Sequence, residues 1–369
     1  MAGRVQDKII LVTGAASGIG LATVERLVGE GAMVLAADIQ DEKGAALETR
    51  FKGKVVYAHC DVTDEAQVKA AVDLAVASFG GLDGIFNNAG NGGAMTGAED
   101  TELSDWNATL SLLLTSVFLG TKHAAPHIAK RGGGAIVNTA SIAGLQAGWA
   151  PLAYSTAKAG VIQFSKVAAA ELCQKKIRVN AICPGLIATS IFGASLGLPR
   201  DQADQLGALV AATGGNAQPA GRAGAGNDIA EAVLLLMSDA GSFITGTHLL
   251  WTGASQLVRV ILGIQIPLPH WQPLWAWIQV RPHLNRRDQH RTRQNQVIAK
   301  RDRRTLDVRF SLWFCRDGGL GKRAERADQC CHVDILALTC GRCGYPAVCF
   351  IRWCPCLENT PSGQAVFTL

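Results

Sequence analysis

Ile9-Ile10-Leu11-Val12-Thr13-Gly14-Ala15-Ala16-Ser17-Gly18-Ile19-Gly20 is the stretch that decides the fold. Its first residues form a short β-branched apolar run, the pattern of a buried strand. A glycine-spaced turn follows at once, and an amphipathic segment continues to Val28. Strand, glycine turn, helix is how a dinucleotide-binding βαβ unit opens. Gly14 permits the tight turn, Gly18 lets the backbone approach a pyrophosphate, and Gly20 lets helix and strand pack closely. Ser17 and Ile19 sit between them, where the free N–H groups of a helix N-terminus face phosphates.

The same alternation repeats along the chain. A second strand-like run, Met33 to Ala37, ends at Asp38. A carboxylate there can accept both hydroxyls of an adenosine ribose and would repel a 2′-phosphate. No basic residue follows at Ile39 or Gln40, so the sequence favours NAD over NADP. A third run, Val55 to Cys60, leads into Asp61-Val62 and a helix. A fourth, Leu82 to Phe86, ends in Asn87-Asn88-Ala89-Gly90, and a fifth, Ala135 to Ala140, leads to Ser141. Strands and helices alternating at this spacing predict an α/β fold with a doubly wound parallel sheet, whose ligands bind at the carboxyl ends of the strands. Asp61, Asn88, Gly90 and Ser141 all fall at such ends.

Downstream, Tyr154-Ser155-Thr156-Ala157-Lys158 puts a phenol and an ammonium four residues apart, on one face of a helix. An unperturbed phenol titrates near ~10. A neighbouring positive charge favours the phenolate and would lower that value, making Tyr154 usable as an acid or base. The Ser141 hydroxyl could then hold a carbonyl or alcohol oxygen against Tyr154.

Thr13-Gly-x-x-x-Gly-x-Gly20, Asp38, Asp61, Asn88-Ala89-Gly90, Ser141, Tyr154-x-x-x-Lys158 and Pro184-Gly185 together resemble the short-chain dehydrogenase/reductase family, over about residues 5–255. The resemblance is to NAD-using members that oxidise secondary alcohols, cyclic diols or steroid-like alcohols. It implies a three-layer Rossmann fold, with Tyr154 as acid/base, Ser141 orienting the substrate oxygen, and Lys158 binding the nicotinamide ribose. It also implies that Asp61 and its neighbour Val62 hold the adenine edge, and that Asn88 and Gly90 lie beside the adenosine ribose. Pro184, Gly185, Ile187 and Thr189 would line the nicotinamide carboxamide. A homo-oligomer in the cytoplasm, bound to a small apolar alcohol or ketone, is implied as well. Seven residues past Trp106 the family usually carries Asn, whereas this chain has Leu113, with Ser116 in place of a following Gly. That change predicts weakened proton transfer with cofactor binding intact, and a nucleotide-binding protein with little catalysis is the alternative reading. Leu145, Ala147, Trp149, Leu152, Ile191, Phe192, Leu196 and Leu198 make the substrate side apolar, which points away from sugar phosphates and acyl-carrier substrates.

The chain has 369 residues and a net charge of +5, and it divides into two kinds of sequence. Residues 1–255 balance at −4 and hold three cysteines, which suits a reducing compartment. Residues 256–369 balance at +9 and hold eight of the eleven cysteines. This basic, Cys- and Trp-rich tail reads as an irregular, disordered or frameshift-derived extension of the catalytic domain. One Cys-x-x-Cys pair, Cys340 and Cys343, is too little for a zinc site, so no metal is expected. The arginine run from Arg286 to Arg304 reads as a solvated basic segment with no specific nucleic-acid target. The Pro-broken stretch Val258 to Val280 does not read as a membrane span. Where the family ends its last strand in Val-Asp-Gly-Gly, this chain reads Trp251-Thr252-Gly253-Ala254. Restoring one base before the TGG codon of Trp251 allows Val-Asp-Gly-Gly, so residues 251–369 are expected to be out-of-frame translation. Resequencing the gene should reveal the missing base; a confirmed printed frame together with a homologous tail elsewhere would defeat the idea.

Overall fold

The computed structural model describes residues 3–195, 198–213 and 218–254, together with the segments 301–302, 305–306, 308–315, 330–339 and 346–353. The chain divides into two units, Met1–Gln279 and Val280–Leu369.

In the first unit, β1 (Ile9–Thr13), β2 (Met33–Asp38), β3 (Val55–His59), β4 (Gly84–Asn87), β5 (Gly134–Thr139), β6 (Ile177–Pro184) and β7 (His248–Trp251) form one parallel sheet in the order β3-β2-β1-β4-β5-β6-β7. The helices between them are α1 (Gly18–Gly29), α2 (Asp41–Arg50), α3 (Glu65–Phe79), α4 (Leu103–Leu110), α5 (Ser116–Lys130), α6 (Leu152–Leu172), α7 (Ile191–Ser195), α8 (Arg200–Thr213) and α9 (Gly226–Met237).

Strand periodicity builds the three layers. Alternate residues of β1 point to opposite faces. Ile10 and Val12 join Val24 and Leu27 of α1 and Ile229 and Val233 of α9. Ile9 and Leu11 join Val68 and Val72 of α3 and Leu119 and Ile128 of α5. Both faces of β1 are therefore covered, and all five of its residues are buried. That is why its sequence is continuously apolar rather than alternating.

The strand order reverses between β1 and β4, and in sheets of this kind the ligand crevice lies outside the carboxyl ends of the strands at that point. The buried side chains of Asn87, Asn138 and Ser165 join three elements beneath it. Asn87 Nδ2 donates to Asn138 Oδ1 at 2.8 Å, and Asn138 Nδ2 donates to Ser165 Oγ at 2.9 Å. β4, β5 and α6 are thereby tied at the level of the crevice floor.

The second unit carries β8 (Arg301–Asp302) paired with β9 (Thr305–Leu306), and an antiparallel sheet of β10 (Val308–Cys315), β11 (Cys330–Thr339) and β12 (Pro346–Trp353). Cys340, Cys343 and the run from Arg286 to Lys300 lie outside the described residues.

Candidate active site

The glycine turn closes against β4. Gly14 stands at φ 63, and a Cβ there would come within 2.9 Å of Ala89 Cα. Only a residue without a side chain allows both the left-handed conformation and that approach. Thr13 fastens the two strand ends, since its Oγ1 accepts from Asn88 N at 2.9 Å and Ala89 N at 3.1 Å. Asn88 Nδ2 returns a bond to Thr13 O at 3.0 Å. Ser17 is the N-cap of α1 in extended conformation and makes no side-chain cap. The leading amides of that helix are left facing the crevice, as an anion needs.

Asp38 is buried at the end of β2. Its Oδ2 accepts from Ala16 N at 2.8 Å, and its Oδ1 accepts from Gln40 N at 3.0 Å and Gln40 Nε2 at 3.2 Å. Gln40 Nε2 also reaches Ser17 Oγ at 3.4 Å. Asp38, Ala16, Ser17 and Gln40 thus form one polar clasp, in which Gln40 takes a part that sequence reading did not assign. Asp61 is exposed at the end of β3, its Oδ1 accepting from Thr63 N and Thr63 Oγ1, while Val62 is buried. The bare Gly14–Gly18 turn, the uncapped helix start and the carboxylate at the end of β2 are the shape and donor set that an adenine dinucleotide requires.

Farther along the sheet, Ser141 follows β5. Its Oγ accepts from Ala143 N at 3.1 Å and forms a hydrogen bond with the Tyr154 hydroxyl. Lys158 is buried, with Nζ donating to Thr139 O at 2.7 Å and lying 5.6 Å from the Tyr154 ring centroid. Ser141, Tyr154 and Lys158 therefore meet in space, as the spacing predicts. Their electrostatics differ from the expectation. Burial pulls the Lys158 ammonium down to about 8. Burial also pushes the Tyr154 phenol up, with the Ser141 hydrogen bond opposing it. Helical spacing predicts a lowered phenol, whereas burial, which spacing does not reveal, is the largest influence on it and acts in the opposite direction.

Cys183, at the end of β6, is a further residue that the motifs did not reveal. Its thiol is fully buried, is pushed up to about 11 mainly by burial, and accepts from the Ser141 amide. The β5–β6 pairing ends at Thr139 opposite Ile182, with Ala140 N donating to Ile182 O at 2.8 Å, and Cys183 is the next residue along β6. Its place immediately before Pro184-Gly185 is the only sequence signal it leaves.

After Gly185, Ile187 is buried and forms a bridge to Gly224, and Ala188 N donates to Gly224 O at 2.8 Å. Thr189 packs on Gly18, where an added Cβ would lie 3.3 Å from the threonine methyl. The loop after β6 thereby closes onto the glycine turn. Leu113 is buried against Gly90 and behaves as core. At the rim, Leu145 and Leu152 are exposed, while Trp149, Ile191 and Phe192 are partly so. Leu196 lies outside the described residues.

A family model described as Enoyl-(Acyl carrier protein) reductase matches residues 14–253. Momilactone A synthase of Oryza sativa subsp. japonica is 40% identical over 262 residues, covering 70% of this chain and 94% of the relative. The 2,5-dichloro-2,5-cyclohexadiene-1,4-diol dehydrogenase of Sphingobium indicum is 39% identical over 243 residues, covering 66% and 94%. Cyclopentanol dehydrogenase of a Comamonas species is 37% identical over 254 residues, covering 68% and 98%. A crystal structure titled as a short-chain dehydrogenase/reductase from Burkholderia xenovorans superposes with TM-score 0.60 at 36% identity, covering 69% of this chain and 98% of that one.

Folding with Lys158 charged costs free energy at any pH below about 8, because the unfolded amine keeps its proton up to 10.5. Between those values the unfolded chain binds more protons, so this cost falls away as pH rises. Lys158→Met should therefore be more stable than the wild type at pH 7, by on the order of 1–3 kcal/mol. The gain should shrink toward pH 10. Urea titrations of both proteins at the two pH values check the sign, and an equal or destabilising effect at pH 7 would contradict it.

Proposed function

Because the chain belongs to the short-chain dehydrogenase/reductase family, we propose that it interconverts a secondary alcohol and a ketone on a small apolar ring, using NAD(H). The observation that carries this reading is the meeting of Ser141, Tyr154 and Lys158 beside a turn and helix start fit for a dinucleotide. When bound, the nicotinamide supplies the hydride acceptor or donor. Gly14, Ser17, Gly18, Ile19 and Gly20 would hold its diphosphate and Asp38 the adenosine ribose. Asp61 and Val62 would take the adenine edge, with Asn88 and Gly90 beside that ribose. Pro184, Gly185, Ile187 and Thr189 would line the carboxamide.

Everything else falls to side chains. Ser141 Oγ fixes the substrate oxygen against the Tyr154 hydroxyl. In the reducing direction Tyr154, kept protonated by burial, gives its proton to that oxygen. In the oxidising direction it must first lose that proton. Lys158, anchored on Thr139 O, presents its charge beneath the ring and favours the phenolate as it forms.

NAD is favoured over NADP because the three donors holding Asp38 are neutral and bring no positive charge to meet a 2′-phosphate. A cyclic alcohol is supported by the apolar rim and by relatives named for cyclopentanol, cis-4-hydroxycyclohexanecarboxylate and a cyclohexadiene diol. Among the described residues no helix is long and apolar enough to cross a membrane. Cys60, Cys173 and Cys183 are free thiols, which supports a cytoplasmic setting. A homotetramer is part of the same proposal, with exposed Phe118 on α5 and Val167 on α6 as candidate contact residues.

Tyr154→Phe should lower turnover of cyclopentanol and related ring alcohols by roughly 10²–10⁴-fold, while NADH, followed by its fluorescence, binds within about twofold of wild type. Oxidation by the wild type should quicken as pH rises and reduction should slow, since the two need opposite forms of Tyr154. Undiminished turnover in the variant would remove the assignment. NADH binding with no turnover of any alcohol by the wild type would favour the non-catalytic alternative. Light scattering on the full chain should give a mass four times that of the monomer, and a monomer would end the tetramer proposal.

A further inference from the structure

The junction of α4 and α5 is not α-helical. Ser111–Thr115 form a π turn, closed by the Ser116 amide donating to Ser111 O five residues back. A turn of that width disturbs the regular pairing of amides with carbonyls. Ser116 supplies a donor of its own, its hydroxyl bonding to Leu112 O at 2.6 Å from a buried position.

Two consecutive leucines on this turn reach different parts of the site. Leu113 rests on Gly90, where an added Cβ would come within 2.7 Å of Cδ2. Leu114 rests on Gly160, two residues beyond Lys158 on α6, where an added Cβ would come within 2.9 Å of Cδ2. Both leucines bear on bare backbone, so a shift of either side chain meets main chain rather than another side chain. The preceding helix holds the same loop from the other side, Thr109 Oγ1 accepting from Ala94 N at 2.8 Å.

We propose that Ser116 is a positioning residue of this active site. Its hydroxyl fixes the π turn, and the turn, through Leu113 and Leu114, sets the spacing between the Asn88–Gly90 loop and the helix that carries Tyr154 and Lys158. The catalytic consequence rests on the dehydrogenase reading, whereas the mechanical link does not.

Wild type, Ser116→Ala and Ser116→Thr, each as the full chain, are compared by amide hydrogen exchange and by kinetics with cyclopentanol and NAD. Ser116→Ala should exchange at least tenfold faster over residues 111–116 and about threefold faster over 154–160. Its kcat should fall about tenfold with KM for NAD changed less than twofold, and Ser116→Thr should recover both properties. Exchange at 154–160 equal to wild type overturns the proposal, as does an unchanged kcat or a loss shared equally between kcat and KM. A wild type that turns over no alcohol removes the dehydrogenase reading, and the exchange over 154–160 alone then decides the role of Ser116. If Ser116→Ala does not fold, Ser116→Gly is read by the same criteria.

Discussion

A charged amine held out of water is the constraint that the site is built around. Lys158 is buried on α6, and its Nζ reaches the main-chain carbonyl of Thr139 at the end of β5. Desolvating an ammonium is costly, and one carbonyl offsets that only in part. The position is held by what surrounds it. α6 is pinned to the sheet through Ser165, Asn138 and Asn87, all buried and mutually bonded. A satisfied polar network of this kind fixes one arrangement, because any slip would leave several groups unpaired in a dry interior. The strain at Lys158 and the rigidity beneath it are therefore two sides of one design, with the amine kept where its charge can act on a phenol.

The rest of the crevice follows one rule, that function sits where side chains are missing or main-chain ladders run out. Gly14 lets the first turn touch Ala89, and Thr13 ties β1 to the loop after β4 beyond their last paired residues. Past the last β5–β6 pair, the Ser141 amide acts on the buried Cys183 thiol. The helical ladder between α4 and α5 gives way to a π turn patched by a serine hydroxyl. At each place a single side chain replaces a backbone partner, and each place borders a residue of the proposed chemistry. The same groups that complete the folding hydrogen bonds thus also set distances in the site.

Much of this was legible in the residues. The apolar runs of β1, β2 and β5 and the glycines at 14, 18 and 20 define strands and a turn through local sterics alone. Asp38 could be placed because a carboxylate ending a strand has few other uses there. The partners that complete the site were not legible, because they depend on which chain segments meet in space. Gln40 becomes informative only once Ser17 is seen beside it, and Cys183 only once Ser141 is seen opposite. The direction of the Tyr154 shift is not legible for the same reason. Spacing along a helix reveals the neighbouring charge, but the depth of burial that raises the phenol comes from the whole fold. Leu113 reads as a lost amide in the sequence, and in space it is the apolar side of a turn that keeps its π geometry.

The end of the first unit joins these themes. β7 pairs with β6 through Trp251 opposite Pro184, and Gly185 N donates to Trp251 O at 3.1 Å. The turn proposed to face the nicotinamide therefore leans on the residues where the sequence departs from its family. Gly253 and Ala254 both stand in the left-handed region, at φ 54 and φ 64. Glycine occupies that region freely, whereas alanine there costs about 1–2 kcal/mol. The backbone thus has the shape that two consecutive glycines would adopt, which is the pair a restored reading frame places there.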